Sequence, residues 1–201
     1  MKHPSTRAVY DYWNRKRGGR PAPDRADIDP GAIRHALGDT FMLAADFIDQ
    51  IRFRLAGTRV CALFCREIKG DAFVELWSEQ SRDKIEALLD VVNSETLGAV
   101  AGVTAHTADG NETILEMLLL PLAHGGHARI RALGILAPMA PPYWLGETPV
   151  VELELGTLRL IGSDLEGFDT PHVLMPEGGR RNRKFVVYSG GRTVPSGERV
   201  G

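Results

Sequence analysis

The chain has 201 residues, 43% of them hydrophobic, and a formal net charge of −2, which fits one globular domain with extensions. No apolar run is long enough to span a membrane, and the first twenty residues are too charged for a secretory signal. Residues 1–34 carry a net +4, residues 35–139 a net −5 and the remainder −1, an imbalance too weak to name nucleic acid as a partner.

In chain order, the first predicted element is a helix over 5–17, with Val9, Tyr12 and Trp13 on one stripe and Gly18-Gly19 as its stop. Those three side chains are the expected contact with a partner or with a second copy of the chain. The proline-containing stretch from Arg20 to Arg25 reads as extended. Asp29-Pro30 then resembles a fresh helix start, with Ile33 and Leu37 on one face and Gly38 as its end. Two strands follow. Phe41, Leu43, Ala45 and Phe47 alternate over 40–47, and Asp49-Gln50 makes the turn. Over 51–57, Ile51, Phe53 and Leu55 are expected to point one way, and Arg52 and Arg54 the other.

After Gly57 the period changes. Val60, Leu63 and Phe64 have helical spacing, and Phe73, Leu76 and Trp77 make a second short apolar element. Ser78 is placed to cap a longer helix whose buried stripe is Ile85, Leu88, Leu89 and Val92. Three strands are predicted over 99–107, 112–122 and 127–138, with hairpin turns at Asp109-Gly110-Asn111 and at His124 to His127. The middle strand is apolar on both faces from Met117 to Leu120, so it belongs at the centre of a sheet. Helices cover one face. Either the N-terminal helix or a second subunit covers the other.

A proline-rich stretch from Pro138 to Pro142 ends the core. Beyond it, Val151, Leu153 and Leu155, then Leu158 and Leu160, form alternating runs divided at Gly156-Thr157, read as an appended hairpin. From Gly162 the chain is rich in Gly, Pro and charge, and is expected to be loose except near Phe185 to Tyr188. The expected division is a helical extension over 1–38, a domain over 39–139 and a partly disordered extension over 140–201.

Several pieces carry a family resemblance. They are Tyr12-Trp13, Arg17-Gly18-Gly19-Arg20-Pro21, Arg25, Asp27-Ile28-Asp29-Pro30, the run Phe53 to Thr58, Leu63-Phe64, Gly70 and Leu76-Trp77. Over residues 8 to 139 the chain resembles the PAS_5 family of bacterial, alphaproteobacterial-type single-domain PAS-like proteins. The resemblance implies an α+β fold, a five-stranded antiparallel sheet with helices on one face, and a sensory or regulatory role. The family places Gly after the Leu-Phe pair. Here Cys65 stands there.

The chemistry the residues exclude is informative. There is no nucleophile elbow, phosphate-binding loop or His-Glu-x-x-His motif, so the chain is not read as an enzyme. Phe64-Cys65-Arg66-Glu67 shares only Cys-Arg with a flavin-reactive cysteine motif, and the long helix lacks the His of a haem ligand. His106 reads as a structural histidine. His124 and His127, and Cys61 and Cys65, lack metal-site spacing, so no metal is expected and the cofactor is unknown. Cys61 and Cys65, four apart on a helix, are poorly placed for a disulfide, and a reduced, cytoplasmic protein is the expectation. Glu116 and Asp46 sit in apolar strands, where they face solvent or pair with Arg52, Arg54 or Arg131. The cluster from Arg180 to Lys184 reads as a solvated tail.

What remains is a pocket between sheet and short helices, lined by Phe53, Leu55, Val60, Leu63, Phe64, Cys65, Phe73 and Trp77. The same residues would equally make a packed core. The expected function is a sensory domain that binds a small apolar ligand or a signalling protein and responds through its N-terminal helix, as a homodimer. A ligand-free adaptor and a small α+β enzyme on an apolar substrate are the alternatives.

Overall fold

The structure, a computed structural model, describes residues 1–45, 50–94, 96–123 and 131–162. Asp46, Phe47 and Asp49, the turn from His124 to His127, and everything from Ser163 on, including the Arg180 cluster and Phe185 to Tyr188, lie outside the described residues. Among the described residues three α-helices form, α1 (Pro4–Arg17), α2 (Thr58–Leu63) and α3 (Glu79–Ser94). The strands are β1 (Thr40–Ala45), β2 (Ile51–Ala56), β3 (Gly98–Thr107), β4 (Glu112–Pro121), β5 (Arg131–Pro138) and β6 (Val150–Ile161). They make one antiparallel sheet in the order β2-β1-β5-β4-β3-β6. The fold is α+β, with six strands where five were expected.

Both faces of the sheet are buried. One face, with Leu115, Met117 and Leu119 of β4, packs against α2 and α3. The opposite face presents Leu118, Leu120, Leu133 and Ile135 to Val9, Tyr12 and Trp13 of α1, with Ile28 and Ile33 beside them. Helices therefore cover both faces, and the cover over β4 comes from the chain's own α1. Residues 1–38, expected as an extension, pack as part of this body. Asp29 does cap a new turn, accepting from the Gly31 amide at 2.9 Å, but Pro30–Ile33 is a short 3-10 turn.

β6 corrects the predicted hairpin. It is one 12-residue strand along β3, in which Ala101 pairs with Leu158 and Val103 with Leu155. Two steps on β3 thus match three on β6, a bulge at Gly156-Thr157. A bulge inserts one residue and flips the alternation, so Leu153 and Leu158 both face the core although their spacing is odd.

The segment from Gly70 to Ser81 is bonded to both edges of the sheet. At the β2 edge, the Phe53 amide donates to Asp71 O at 3.0 Å and the Phe73 amide to Ile51 O at 2.9 Å. At the β6 edge, the Ser78 amide donates to Leu153 O at 2.9 Å and the Leu155 amide to Ser81 Oγ at 3.0 Å. The two edges are thereby joined across the interior. Glycine permits two close approaches. A Cβ on Gly134 would lie 2.1 Å from the Phe41 ring, and one on Gly57 would lie 2.0 Å from Leu37 O.

Candidate functional site

Six of the eight residues expected to line an internal pocket come together. Phe53, Val60, Leu63, Phe64, Phe73 and Trp77 belong to one buried cluster. They close on each other. Phe53 meets Phe41 and Phe73 edge to face, each with ring centroids 5.5 Å apart, and Phe73 meets Trp77 at 5.7 Å. Trp77 Nε1 is buried and donates to nothing among the described residues, a cost of about 1–3 kcal/mol.

The other two residues are elsewhere. Leu55 is turned to the opposite face, because β1 and β2 also pair through a bulge. Leu43 faces Phe53 and Met42 faces Leu55, so Arg54 is the extra residue and the alternation flips after it. Leu55 is 44% exposed. Cys65 follows the end of α2 with φ 51°, in the left-handed region that favours glycine, and is exposed. Cys61, by contrast, is buried, and burial pushes its thiol pKa up, away from reactivity.

On the outer face the bulge creates a groove. Its volume is about 310 Å³, and Ile28, Ile33, Leu37, Met42, Leu55 and Leu133 line it, with Arg25 in its wall. Arg25 is half-buried, and its guanidinium has no hydrogen bond or ion pair among the described residues. A second, more polar hollow of about 640 Å³ lies beside the end of α2, between Cys65-Arg66, Asp71 and Pro149–Val151. Arg66 and Asp71 in its wall pair with each other.

Polar contacts latch α1 to the sheet. Glu116, on the α1 side of β4, is 7% exposed and accepts from the amides of Lys2 at 2.7 Å and His3 at 2.9 Å. Burial opposes its charge, but these two amides together with the nearby Thr6 hydroxyl outweigh it and hold the pKa below the ordinary glutamate value. Among the described residues the Thr6 hydroxyl itself makes no hydrogen bond of good geometry. Glu116 thus neither faces solvent nor pairs with an arginine, and it is kept ionised rather than poised as an acid.

A second latch centres on Asp39, which is 2% exposed. It takes both Nε and Nη2 of Arg59, at 2.6 and 2.7 Å, and the Ser5 hydroxyl at 2.7 Å. The hydrogen bonds to Asp39 raise the Arg59 pKa further above its already high ordinary value. Further along α1, Trp13 Nε1 donates to Pro121 O at 2.8 Å, and the Tyr12 hydroxyl bridges Asp27 O and the Asp29 amide. Val9, Tyr12 and Trp13, expected at a partner contact, are therefore spent on the chain's own sheet.

His106 lies between Glu112 and Glu154, at 3.2 and 3.4 Å, which makes it a cross-strand structural residue. Among the described residues no group of three or more His, Cys, Asp and Glu side chains converges as a metal site, and no helix is long and apolar enough to cross a membrane.

The profile of the PAS_5 family, described as a PAS domain, matches residues 1–137. The chain belongs to this family. The match takes in α1 and stops before β6, so the sixth strand lies beyond the family-matched region. PAS domains are sensory and regulatory modules as a class, rather than catalysts. Solved structures similar to this PAS domain include a light-oxygen-voltage domain studied with a flavin analogue (13% identity, TM-score 0.44, covering 56% of this chain and 85% of that one). Another is the dark-state LOV domain of the blue-light photoreceptor Aureochrome1 (13% identity, TM-score 0.42, covering 56% and 83%). A third is a PAS domain from Colwellia psychrerythraea (15% identity, TM-score 0.40, covering 55% and 98%). No curated protein sequence matches the chain.

Proposed function

We propose that this PAS domain is a regulatory module whose switched element is α1. The observation that carries the reading is how α1 is held. It packs over β4 and β5 on one face of the sheet, yet it is fastened by separable polar latches, Glu116 at its start and Asp39 with Arg59 beside Ser5. A ligand or partner protein that prefers the undocked arrangement would shift the population toward it and expose Leu118, Leu120 and Ile135 to a second protein. The signal is read by that protein, and a second copy of the chain is one such reader. The close-packed aromatic interior supports an input at the outer face rather than between the sheet and α3. It equally favours a second reading, a ligand-free adaptor that works through protein contacts alone.

The test is hydrogen exchange on the Arg59→Ala, Glu116→Gln double variant. Amides of α1 should exchange at least tenfold faster while those of α3 keep their protection. Equal acceleration in both helices would mean that α1 opens only with global unfolding, and the switch reading would be wrong.

A further inference from the structure

We infer that the outer-face groove is a binding site for a small amphipathic carboxylate, its apolar body against Met42, Leu55 and Leu133 and its carboxylate on Arg25. This rests on the reading of α1 as the switched element and names its input. Three observations converge. The first is the groove's chemistry. Leucine, isoleucine and methionine side chains make the apolar part of its lining, and at about 310 Å³ it lies at the small end of the roughly 300–1,000 Å³ of ligand pockets.

The second is Arg25. Arg20, Arg59 and Arg66 each hold a carboxylate, at 2.7 Å from Asp27 and 2.6 Å from Asp39 in the first two. Arg25 holds none among the described residues, although it is half-buried in the groove wall. A guanidinium already stripped of part of its water and left without an anion is matched by a planar carboxylate, which it can take by two parallel hydrogen bonds. The apolar part of the lining favours an anion with a hydrocarbon body over inorganic phosphate.

The third is connection to α1. The wall formed by Arg25, Ile28 and Ile33 is the segment that the Tyr12 hydroxyl grips, at 3.2 Å from Asp27 O and 2.7 Å from the Asp29 amide. A ligand that moves this wall pulls on α1 directly. The bulge at Arg54 is what makes the site, since without it Leu55 would point into the filled interior and the groove would lose its floor.

The experiment is a titration of the full chain with octanoate and, separately, with octan-1-ol, followed by the methyl signals of Ile28, Ile33, Met42, Leu55 and Leu133. Octanoate should bind saturably and shift these methyls, and octanol should bind about tenfold more weakly. Arg25→Gln should erase that preference without unfolding the protein, because the guanidinium holds no hydrogen bond or ion pair among the described residues. Leu55→Asp, at an exposed position, should abolish binding of both. Equal affinity for acid and alcohol, no saturable binding, or shifts centred on the Trp77 indole instead would each overturn the proposal. Hydrogen exchange separates the two readings. Octanoate binding with unchanged α1 exchange supports the site but removes the switch, whereas latch variants that free α1 in a protein blind to octanoate remove the site alone.

Discussion

The two faces of the sheet are covered by different means. The interior face is closed by aromatic rings in mutual contact and by a segment bonded to both sheet edges, so its parts cannot separate one at a time. The outer face is covered by α1 over β4 and β5 with Ile28 and Ile33 of the irregular stretch from Gly18 to Asp39 beside it, and α1 is fastened by charge-assisted bonds at named points. Burial alone therefore does not set cooperativity. One face is suited to be the frame and the other to be the moving part.

Two tryptophans offer the largest test of that contrast. Trp77 is 1% exposed on the interior face and Trp13 is 4% exposed on the outer one. Truncating either to alanine removes about 3–5 kcal/mol of packing. Trp77→Ala should lower global stability by that amount, seen as an earlier denaturant midpoint for every probe. Trp13→Ala should instead appear mainly as faster α1 exchange, with the protection of α3 nearly kept. Identical behaviour of the two variants would erase the distinction between the faces.

Next in size is the Asp39 latch. Arg59→Ala leaves a buried carboxylate with only the Ser5 hydroxyl, at a cost of about 1–3 kcal/mol. The loss should be confined to α1 and the turn before β1, read by exchange of the Ser5 to Val9 amides. The Glu116 latch should then show itself through pH. Its pKa is depressed below the ordinary value of 4.5, so its contribution is complete above that value and is lost as pH falls through the folded pKa. Opening of α1 should rise as the solution is acidified below about pH 4.5, and Glu116→Gln should flatten that rise. A variant with an unchanged acid limb would show that another group governs it.

The contrast between the faces also explains what could be seen in the sequence. Periodicity and turn chemistry located α1, α3 and the Asp109-Gly110-Asn111 hairpin, because those signals are local. Leu55 and the β6 strand were misplaced for a shared reason. Alternation is read in steps of two, and one bulged residue, Arg54 in β2 or the Gly156-Thr157 step in β6, reverses everything after it. Gly156 was a visible hint, since a glycine inside a strand pattern marks a bulge as readily as a turn. Glu116 stood out as a charge in an apolar strand, but its partners are amides 113 and 114 residues away. Contacts at that separation leave no trace in local pattern. The groove was invisible too, because it depends on the bulge and on the wall from Arg25 to Leu37 meeting β1 and β2 in space.

The smallest effect concerns Cys65, where the family resemblance implies a glycine. Cys65 sits at φ 51°, where a Cβ costs about 1–2 kcal/mol that glycine avoids. Part of that gain is offset by the greater freedom glycine has in the unfolded chain, about 0.5–1 kcal/mol. Cys65→Gly should therefore stabilise the protein by about 0.5–1 kcal/mol, raising the denaturation midpoint at constant slope. Because Cys65 ends α2, on the frame side, α1 exchange should stay as it was. Should the variant be less stable, the thiol's contact with Ala62 O at 3.7 Å would outweigh the strain. The cysteine would then be a built part of the frame rather than a tolerated cost.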